Sequence, residues 1–566
     1  MVKKTSSSGS TRGKIPSPST RRWLGMYEGE FSGNIFATKS IDLVRNKSKV
    51  AIADSLSAVA ISSSLSNLTA PVAFIRTAAD TTDRYWALGG RMFKTTNTDP
   101  ESGWAEDAIA NTPTAPLWDM IEFSSALIVG KATDLTRLAA GTWTANWWTS
   151  LSGTSALTTG VPHRFGILAA ALLITDARYI HTYDGTIATQ NALTLPSQFQ
   201  AQFIITTADF AFIGTKSLNA GNAEVFSWDR SSTVYNGRYD IGDSECLAGF
   251  IGNGVPHIIT KKGEIRRFSG QGFTVIQKFP TVELSKNINN INPNGISVDG
   301  NIVKINVDFG VIADQRLRSG IWTFELDTEN LYHSGSIKNN ASKDYSQQEV
   351  ASLGAIKATL PTNGRYLVGG QAYTAYSGSS VHGIFTYDES SSSNRGYFIT
   401  PKIKASNVRR FFREIFTRFG NFQNSTDRLR VAYRIVESTT LPAFETITWV
   451  SSTTFTGSNA NVAVGDFVEI LAGDNAGAIA KITVKSGASA PYTFTIDVTL
   501  NASTSTARAT YMKFKDLGTI SSQSKQEQIF RPLARANWIQ YLIELRGGIN
   551  SPQLEDLIPG GTDVPF

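Results

Sequence analysis

The chain is almost without cysteine: 566 residues hold one, Cys246. A disulfide scaffold is therefore excluded, and folding in a reducing cytosol is the natural expectation. No apolar run approaches the ~20 residues that a membrane-crossing helix needs. The longest, Ile167 to Ile174, reads as a buried strand. The 47 glycines follow no period of three, which excludes collagen. Charged residues make up only 18% while aromatics reach 10%, the reverse of a disordered composition. Helical periodicity is nearly absent as well. What remains is a chain with material for three or four domain equivalents, at roughly 100–200 residues each.

Acidic residues are missing from the first 27 positions, which hold Lys3, Lys4, Arg12, Lys14, Arg21 and Arg22. The net charge is +6, so the remainder is close to neutral. A basic, Ser- and Gly-rich, apolar-poor segment cannot bury enough surface to fold alone. Residues 1–35 are expected to be a flexible arm that docks on an acidic partner or a neighbouring subunit. No apolar stretch follows Lys3 and Lys4, so they do not read as the start of a signal peptide.

From residue 36 to residue 400 the pattern is a short β-rich run, a polar turn and another β-rich run. The units recur. Residues 84–94, 123–138, 170–185, 209–229, 256–270 and 365–388 share one grammar: a small-plus-aliphatic run ending in Gly, Thr or Asp, then a second run ending in an aromatic and a small or acidic residue. Tyr183-Asp184, Trp228-Asp229 and Tyr387-Asp388 are the clearest endings. Adjacent units are spaced by about 40–60 residues, the blade period of β-propellers. Small residues suit strands near a central axis, and large aromatics suit strands that pack on the next blade. About seven blades fit, with a degenerate first blade around Ile41 to Ser62; six or eight remain compatible.

After residue 400 the texture changes. Lys402, Lys404, Arg409, Arg410, Arg413, Arg418, Arg428, Arg430 and Arg434 are interleaved with aromatics and aliphatics. Leu429, Val431, Tyr433 and Ile435 alternate with Arg430 and Arg434, a period-two strand with one polar face. Residues 538–546 repeat the pattern. Residues 401–448 and 513–566 are therefore expected to form a β-sandwich. The segment 407–416 fits a short helix or a strand. Between the two halves, 449–512 is rich in Thr, Ala, Ser, Val and Gly. It reads as an inserted small barrel or hairpin domain, with 464–470 and 479–484 flanking a Gly/Asn turn. The overall fold class is all-β.

No catalytic or metal-binding constellation emerges. His163, His181, His257, His333 and His382 form no pair at ligand spacing with another His or with Cys246. There is no Gly-x-Ser-x-Gly elbow, P-loop or dinucleotide fingerprint. Asp474-Asn475-Ala476-Gly477 lacks the acidic positions of a calcium loop. Asp240, Asp243 and Glu245 form the tightest acidic cluster, which reads as an exposed inter-strand loop. Trp143, Trp147 and Trp148 cluster too, as core or as a sugar-stacking surface. No cofactor is implied, and no enzymatic role. The residues singled out as a candidate interface are Lys3, Lys4, Arg12, Lys14, Arg21, Arg22, Arg409, Arg410 and Arg413.

In its blades, its basic arm, its nearly cysteine-free composition and its ending at 540–545 and 551–557, the chain resembles bacteriophage tail structural proteins. It is similar in texture to the β-propeller tail nozzle proteins of short-tailed phages and to related stopper or hub proteins, over most of its length. The resemblance implies a non-enzymatic virion protein, assembled in the bacterial cytoplasm, that forms a closed ring, typically of six copies, around a DNA channel. The implied partners are other copies of the chain, portal or adaptor and fibre proteins, and genomic DNA passing without sequence-specific contact. The competing expectation is a carbohydrate- or receptor-binding propeller of a fibre or spike, and after it a glycan depolymerase.

Overall fold

The alternating runs form strands. The computed structural model describes residues 72–563 with internal gaps, the longest at 336–366, together with the short strands Ala37–Lys39, Ile41–Asp42, Ala51–Ile52 and Asp54–Ala58. The described residues contain no α-helix, and two single 3-10 turns, Trp148–Ser150 and Pro293–Gly295, interrupt the strands. The ambiguous stretch 407–416 falls largely within the strand Arg410–Phe419.

Seven sheets follow one another around an axis. Six are four-stranded antiparallel meanders. Blade 1 runs from Val72–Thr77 to Ala105–Asp107, blade 2 from Met120–Phe123 to Thr142–Thr144, and blade 3 from Phe165–Leu168 to Ala188–Thr194. Blade 4 runs from Phe199–Thr206 to Gly237–Asp240, blade 5 from Cys246–Gly252 to Phe273–Lys278, and blade 6 from Ile296–Asp299 to Leu331–Gly335. Blade 7 joins Leu367–Tyr373 and Ser380–Ser392 to Asp54–Ala58, a strand from near the start of the chain. The first strands of blades 1 to 6 lie side by side in succession, and that of blade 7 lies beside that of blade 1. Asn306 Nδ2 of blade 6 donates to the Gly369 carbonyl of blade 7 at 3.1 Å. The ring is a seven-bladed propeller. The stretch Ile41 to Ser62 is not a blade of its own: Ile41–Asp42 and Ala51–Ile52 pair as a small hairpin, and Asp54–Ala58 completes blade 7.

The cores lie between blades rather than within them. One cluster joins Phe123, Ile128 and Trp148 of blade 2 to Leu172, Ile174 and Tyr183 of blade 3. Others join blade 3 to blade 4, blade 4 to blade 5, and blade 5 to blade 6. A blade exposes two apolar faces when alone, and burial at about 25 cal/mol per Å² is realised only when neighbours close on both. Small residues stand where blades approach most closely. Phe203 of blade 4 covers Gly214 of its own blade and Gly249 of blade 5, and a Cβ at Gly249 would lie 2.5 Å from the Phe203 ring.

The rest of the chain forms two further units. In the sandwich, one sheet has the order Ala37–Lys39, Arg395–Ile399, Trp538–Arg546, Arg428–Arg434, Lys515–Ile520, with Ile403–Lys404 also paired to Trp538–Arg546. The second sheet centres on Arg410–Phe419, flanked by Glu527–Phe530 and Ala534–Ala536 on one side and Leu554–Asp563 on the other. Phe398, Phe412, Ile415, Leu429, Val431, Ile543 and Leu545 share the core between them. The inserted unit is a closed barrel of six strands, from Glu445–Ser451 to Thr506–Met512. Strand pairing puts two boundaries elsewhere than expected. Arg395–Ile399 and Ala37–Lys39 pair into the sandwich, and the barrel begins at Glu445, because its first strand must pair with Thr506–Met512 to close.

Filling the space above Gly249 forces the Phe203 ring to move. Gly249→Val is expected to destabilise the chain by about 1–3 kcal/mol, read as a lowered midpoint in urea unfolding with the strand content of the far-ultraviolet spectrum retained.

Candidate assembly site

The propeller axis comes first, because propellers commonly place a ligand there. Here the chain crosses it. The segment Asn292–Gly295, just ahead of blade 6, lies against the first strands of blades 1 and 5. Asn294 Nδ2 donates to the carbonyls of Ala73 in blade 1 and of Trp118 at the entry to blade 2, both at 3.2 Å. Asn292 Nδ2 donates to Ala73 as well. Arg76 donates to Asn294 Oδ1 at 2.5 Å and to Asp119 at 3.4 Å. Arg164 of blade 3 donates to the Trp118 carbonyl at 2.6 Å and to Asn292 Oδ1 at 3.3 Å. Burial, with the Arg76 charge behind it, pulls the Arg164 guanidinium below its ordinary pKa, against Asp119. The asparagines act as a hub that ties distant blades together.

A second site lies where the three units meet. Arg318, at the start of the third strand of blade 6, donates to Glu469 of the barrel at 2.7 Å. Tyr397 of the sandwich donates to the same carboxylate at 3.4 Å. Arg318 and Glu469 are 1% and 0% exposed, so water screens neither charge. Burial opposes the Arg318 charge, and Glu469 more than offsets it, holding the guanidinium pKa above its ordinary value. The Tyr397 hydroxyl is pushed up by burial and by the adjacent carboxylate, so it stays a donor. Around this polar point Tyr397, Ile399, Ala432 and Leu542 of the sandwich pack on Phe467, Ile479 and Met512 of the barrel.

The basic face of the 428–434 strand does not look outward as a subunit or solvent face would. Its alternation is real: Leu429, Val431 and Tyr433 enter the sandwich core. Its arginines are met by the chain itself. Arg430 pairs with Asp497, which follows the barrel strand Tyr492–Ile496, and approaches Asp516 and Glu544 at 3.8 and 3.7 Å. Arg434 is buried, donates to Gln540 at 2.9 Å and stacks over Phe514. The inserted barrel therefore meets the polar face of this strand at Arg430, and the sandwich itself meets it at Arg434.

The outer face of the second sheet differs. Arg413 is exposed there, with its guanidinium carbon 5.9 Å from the Phe411 ring centre, and Arg535 approaches the same ring at 6.0 Å. Ile529 and Leu533 are 47% and 60% exposed nearby in sequence and sheet. Arg410 is on the same strand, its side chain lying outside the described residues. Arg409, Lys3, Lys4, Arg12, Lys14, Arg21 and Arg22 lie outside them as well.

The remaining candidates are accounted for by packing. Trp147 and Trp148 are buried, and Trp148 stacks on His181 with rings 5.5 Å apart. Trp143 is half-buried and donates to Asp107 of blade 1 at 3.3 Å. The tryptophan cluster is inter-blade core. Asp243 is buried rather than exposed, because its carboxylate accepts from the backbone of Ser244 and Lys262 at 2.6 Å each. Glu245 lies 3.6 Å from Lys261. Cys246 is buried and its thiol is pushed up by burial, which makes it a poor nucleophile. His181 donates from Nε2 to Asp176 at 3.2 Å while its Nδ1 accepts from Asn191 at 2.9 Å. Asp474-Asn475-Ala476-Gly477 and the side chain of His382 lie outside the described residues. Among the described residues, no group of three or more His, Cys, Asp and Glu is placed to hold a metal, and no helix is long and apolar enough to cross a membrane.

No family model and no curated protein matches the chain. Among solved structures, it is similar to the extracellular domain of a two component system protein of B. thetaiotaomicron, at 10% identity and a TM-score of 0.40, over 72% of this chain and 46% of that one. It is also similar to the β-propeller domain of Cps50 (Swd1) from Myceliophteria thermophila, at 8% identity and a TM-score of 0.38, over 59% of this chain and 99% of that one. YCF48 from Cyanidioschyzon merolae aligns at 9% identity and a TM-score of 0.37, over 59% of this chain and 98% of that one. The chain spans about half the length of the first of these. The fold assignment rests on the sheet orders and registers described above.

Two outcomes follow from these environments. Glu469→Gln takes the carboxylate from the buried Arg318 guanidinium and is expected to destabilise the chain, whereas the double replacement Arg318→Met with Glu469→Leu recovers most of that loss; denaturant unfolding at neutral pH measures both. Burial depresses the imidazole of His257 to about 4 and also lowers that of His163. The unfolded chain then takes up more protons than the folded one below pH 6.5, so stability is full above that pH and falls as pH drops toward 4. His257 contributes on the order of 3 kcal/mol to that slope, and His257→Gln is expected to flatten it in unfolding titrations between pH 7 and pH 4.5.

Proposed function

We propose that the chain is a non-enzymatic structural subunit of a bacteriophage tail. In this reading it assembles with copies of itself into a closed ring, of nozzle or hub type, and anchors neighbouring tail proteins. The observation that carries the reading is the outer face of the Arg410–Phe419 sheet, which carries exposed Arg413, the Phe411 ring shared with Arg535, and exposed Ile529 on the paired strand. Aromatic residues and arginine are the residue types that concentrate in protein interfaces. A closed ring needs two unlike surfaces per subunit, and the basic segment 1–35 provides chemistry for the other.

Two further features suit a part that bears load. The ring is closed by a strand from near the start of the chain, and that same region, through Ala37–Lys39, adds a strand to the sandwich. The propeller, barrel and sandwich meet at one buried ion pair. Because Asn292–Gly295 crosses the propeller axis, the DNA path in this reading is the lumen enclosed by the subunits, with the propeller as an outer buttress. The carbohydrate-binding alternative loses its tryptophans, of which Trp147 and Trp148 are buried.

Native mass spectrometry and negative-stain microscopy of the full-length chain test the proposal. Hollow rings of about six copies are expected, alone or with tail neighbours. Arg413→Glu reverses the charge on the exposed sheet face and is expected to shift the population from rings to monomers while leaving the thermal transition of the monomer unchanged. A monomer or compact trimer under all conditions, with no ring in the virion, overturns the proposal.

A further inference from the structure

A pocket of about 190 Å³ opens at the seam between the sandwich and the barrel. Arg428, Arg430, Thr519, Glu544 and Arg546 line it from the sandwich sheet, and Asp497 and Val498 from the barrel. The position of the arginines follows from register. Arg428 is paired directly opposite Arg546, and Arg430 opposite Glu544, on neighbouring strands. Like charges facing each other across strands are unfavourable unless something lies between them.

The donors of this pocket exceed its acceptors. Arg430 gives Nη2 to Asp497 and Nε to Thr519 Oγ1. Its Nη1 is buried without a hydrogen bond, the nearest Glu544 oxygen being 3.7 Å away. Arg546 gives Nη2 to Glu544 at 3.3 Å, and its Nε is likewise buried without an acceptor. Arg428 turns Nη1 to the carbonyls of Ser425 and Asp427. Charge points the same way. Asp516, which approaches Arg430, has its own cation in Lys481 at 3.1 Å. Four cations, Arg428, Arg430, Arg546 and Lys481, therefore face three carboxylates, Asp497, Asp516 and Glu544, which leaves one positive charge in excess.

We propose that this pocket binds a small oxyanion, a phosphate-type or carboxylate group, between Arg428, Arg430 and Arg546. Guanidinium forks match such groups in shape and charge. The volume is below the roughly 300–1,000 Å³ of sites for larger organic ligands, so the occupant is a free ion or the anionic end of a small molecule. An oxyanion there offsets the excess positive charge and separates Arg428 from Arg546. The site spans two units of the fold, so its ligand stabilises their seam by mass action. The inference does not depend on the tail-protein reading.

The test uses the full-length chain, with sodium phosphate, sodium sulfate and sodium acetate titrated at constant ionic strength against chloride. Calorimetry is expected to show saturable binding of one equivalent of at least one of them below about 10 mM, accompanied by a rise in Tm. Phosphate or sulfate outcompeting acetate assigns a tetrahedral anion, and the reverse order a carboxylate; either upholds the site. Arg428→Gln and Arg546→Gln are expected to weaken binding at least about tenfold, while Arg267→Gln, exposed on blade 5, leaves it unchanged. Arg546→Lys keeps the charge without the fork and serves if the glutamine variant does not fold. No saturable binding by any of the three ions, or binding that these pocket variants leave untouched, overturns the proposal.

Discussion

The Arg318–Glu469 ion pair is the constraint on which the relation between the three units depends. A charge removed from water is tolerated only with a partner in close geometry, and each charge here comes from a different unit. Tyr397 of the third unit donates to the same carboxylate. Blade 6, barrel and sandwich must therefore meet in one arrangement, because any other leaves a buried charge unmatched. Apolar packing alone would tolerate sliding, since hydrophobic burial is non-directional. The ion pair adds the direction, and the surrounding aromatic and aliphatic contacts add the area.

A similar division of labour holds within the propeller. The inter-blade cores supply the area, and polar groups decide which blades are held together. The asparagines Asn292 and Asn294 reach blades 1 to 3 from just ahead of blade 6, so they bridge more than 200 residues of chain and about half of the ring. The strand Asp54–Ala58 closes blade 7 from the opposite end of the sequence. A ring whose neighbours are mostly local in sequence has one non-local seam, and here that seam is sewn by backbone pairing. The chain's early residues also enter the sandwich, so opening either unit disturbs the other.

These features bear on where partners can act. The polar face of the 428–434 strand is met by the chain itself, by the barrel at Arg430 and by the sandwich at Arg434. The exposed arginine–aromatic face lies on the second sheet. The proposed assembly face and the proposed anion pocket thus lie on different sheets of the sandwich, so a change at one need not disturb the other.

Much of the fold was legible in the residues. Period-two alternation marks Arg428–Arg434 as a strand with an apolar side, because successive side chains point to opposite faces. Recurrence of paired runs marks the blades, because a blade cannot bury both faces alone. The single cysteine and the absence of metal-ligand spacing are likewise visible by inspection. What covers a polar face is not visible, because alternation says that two sides differ and nothing about what each side meets. Arg430 finds Asp497 across 67 positions, and Arg318 finds Glu469 across 151; no local pattern encodes such pairs. Within the acidic cluster Asp240 is exposed as its sequence suggests, but Asp243 is buried for the same reason, since one of its backbone donors, Lys262, stands 19 positions on in the next blade. The sequence by itself determined strand character, blade repetition and the split into propeller, sandwich and insert, all consequences of local periodicity. Only the tertiary structure decided which charges are buried, which arginines remain outside and what crosses the axis, because those depend on distances between residues far apart in the chain.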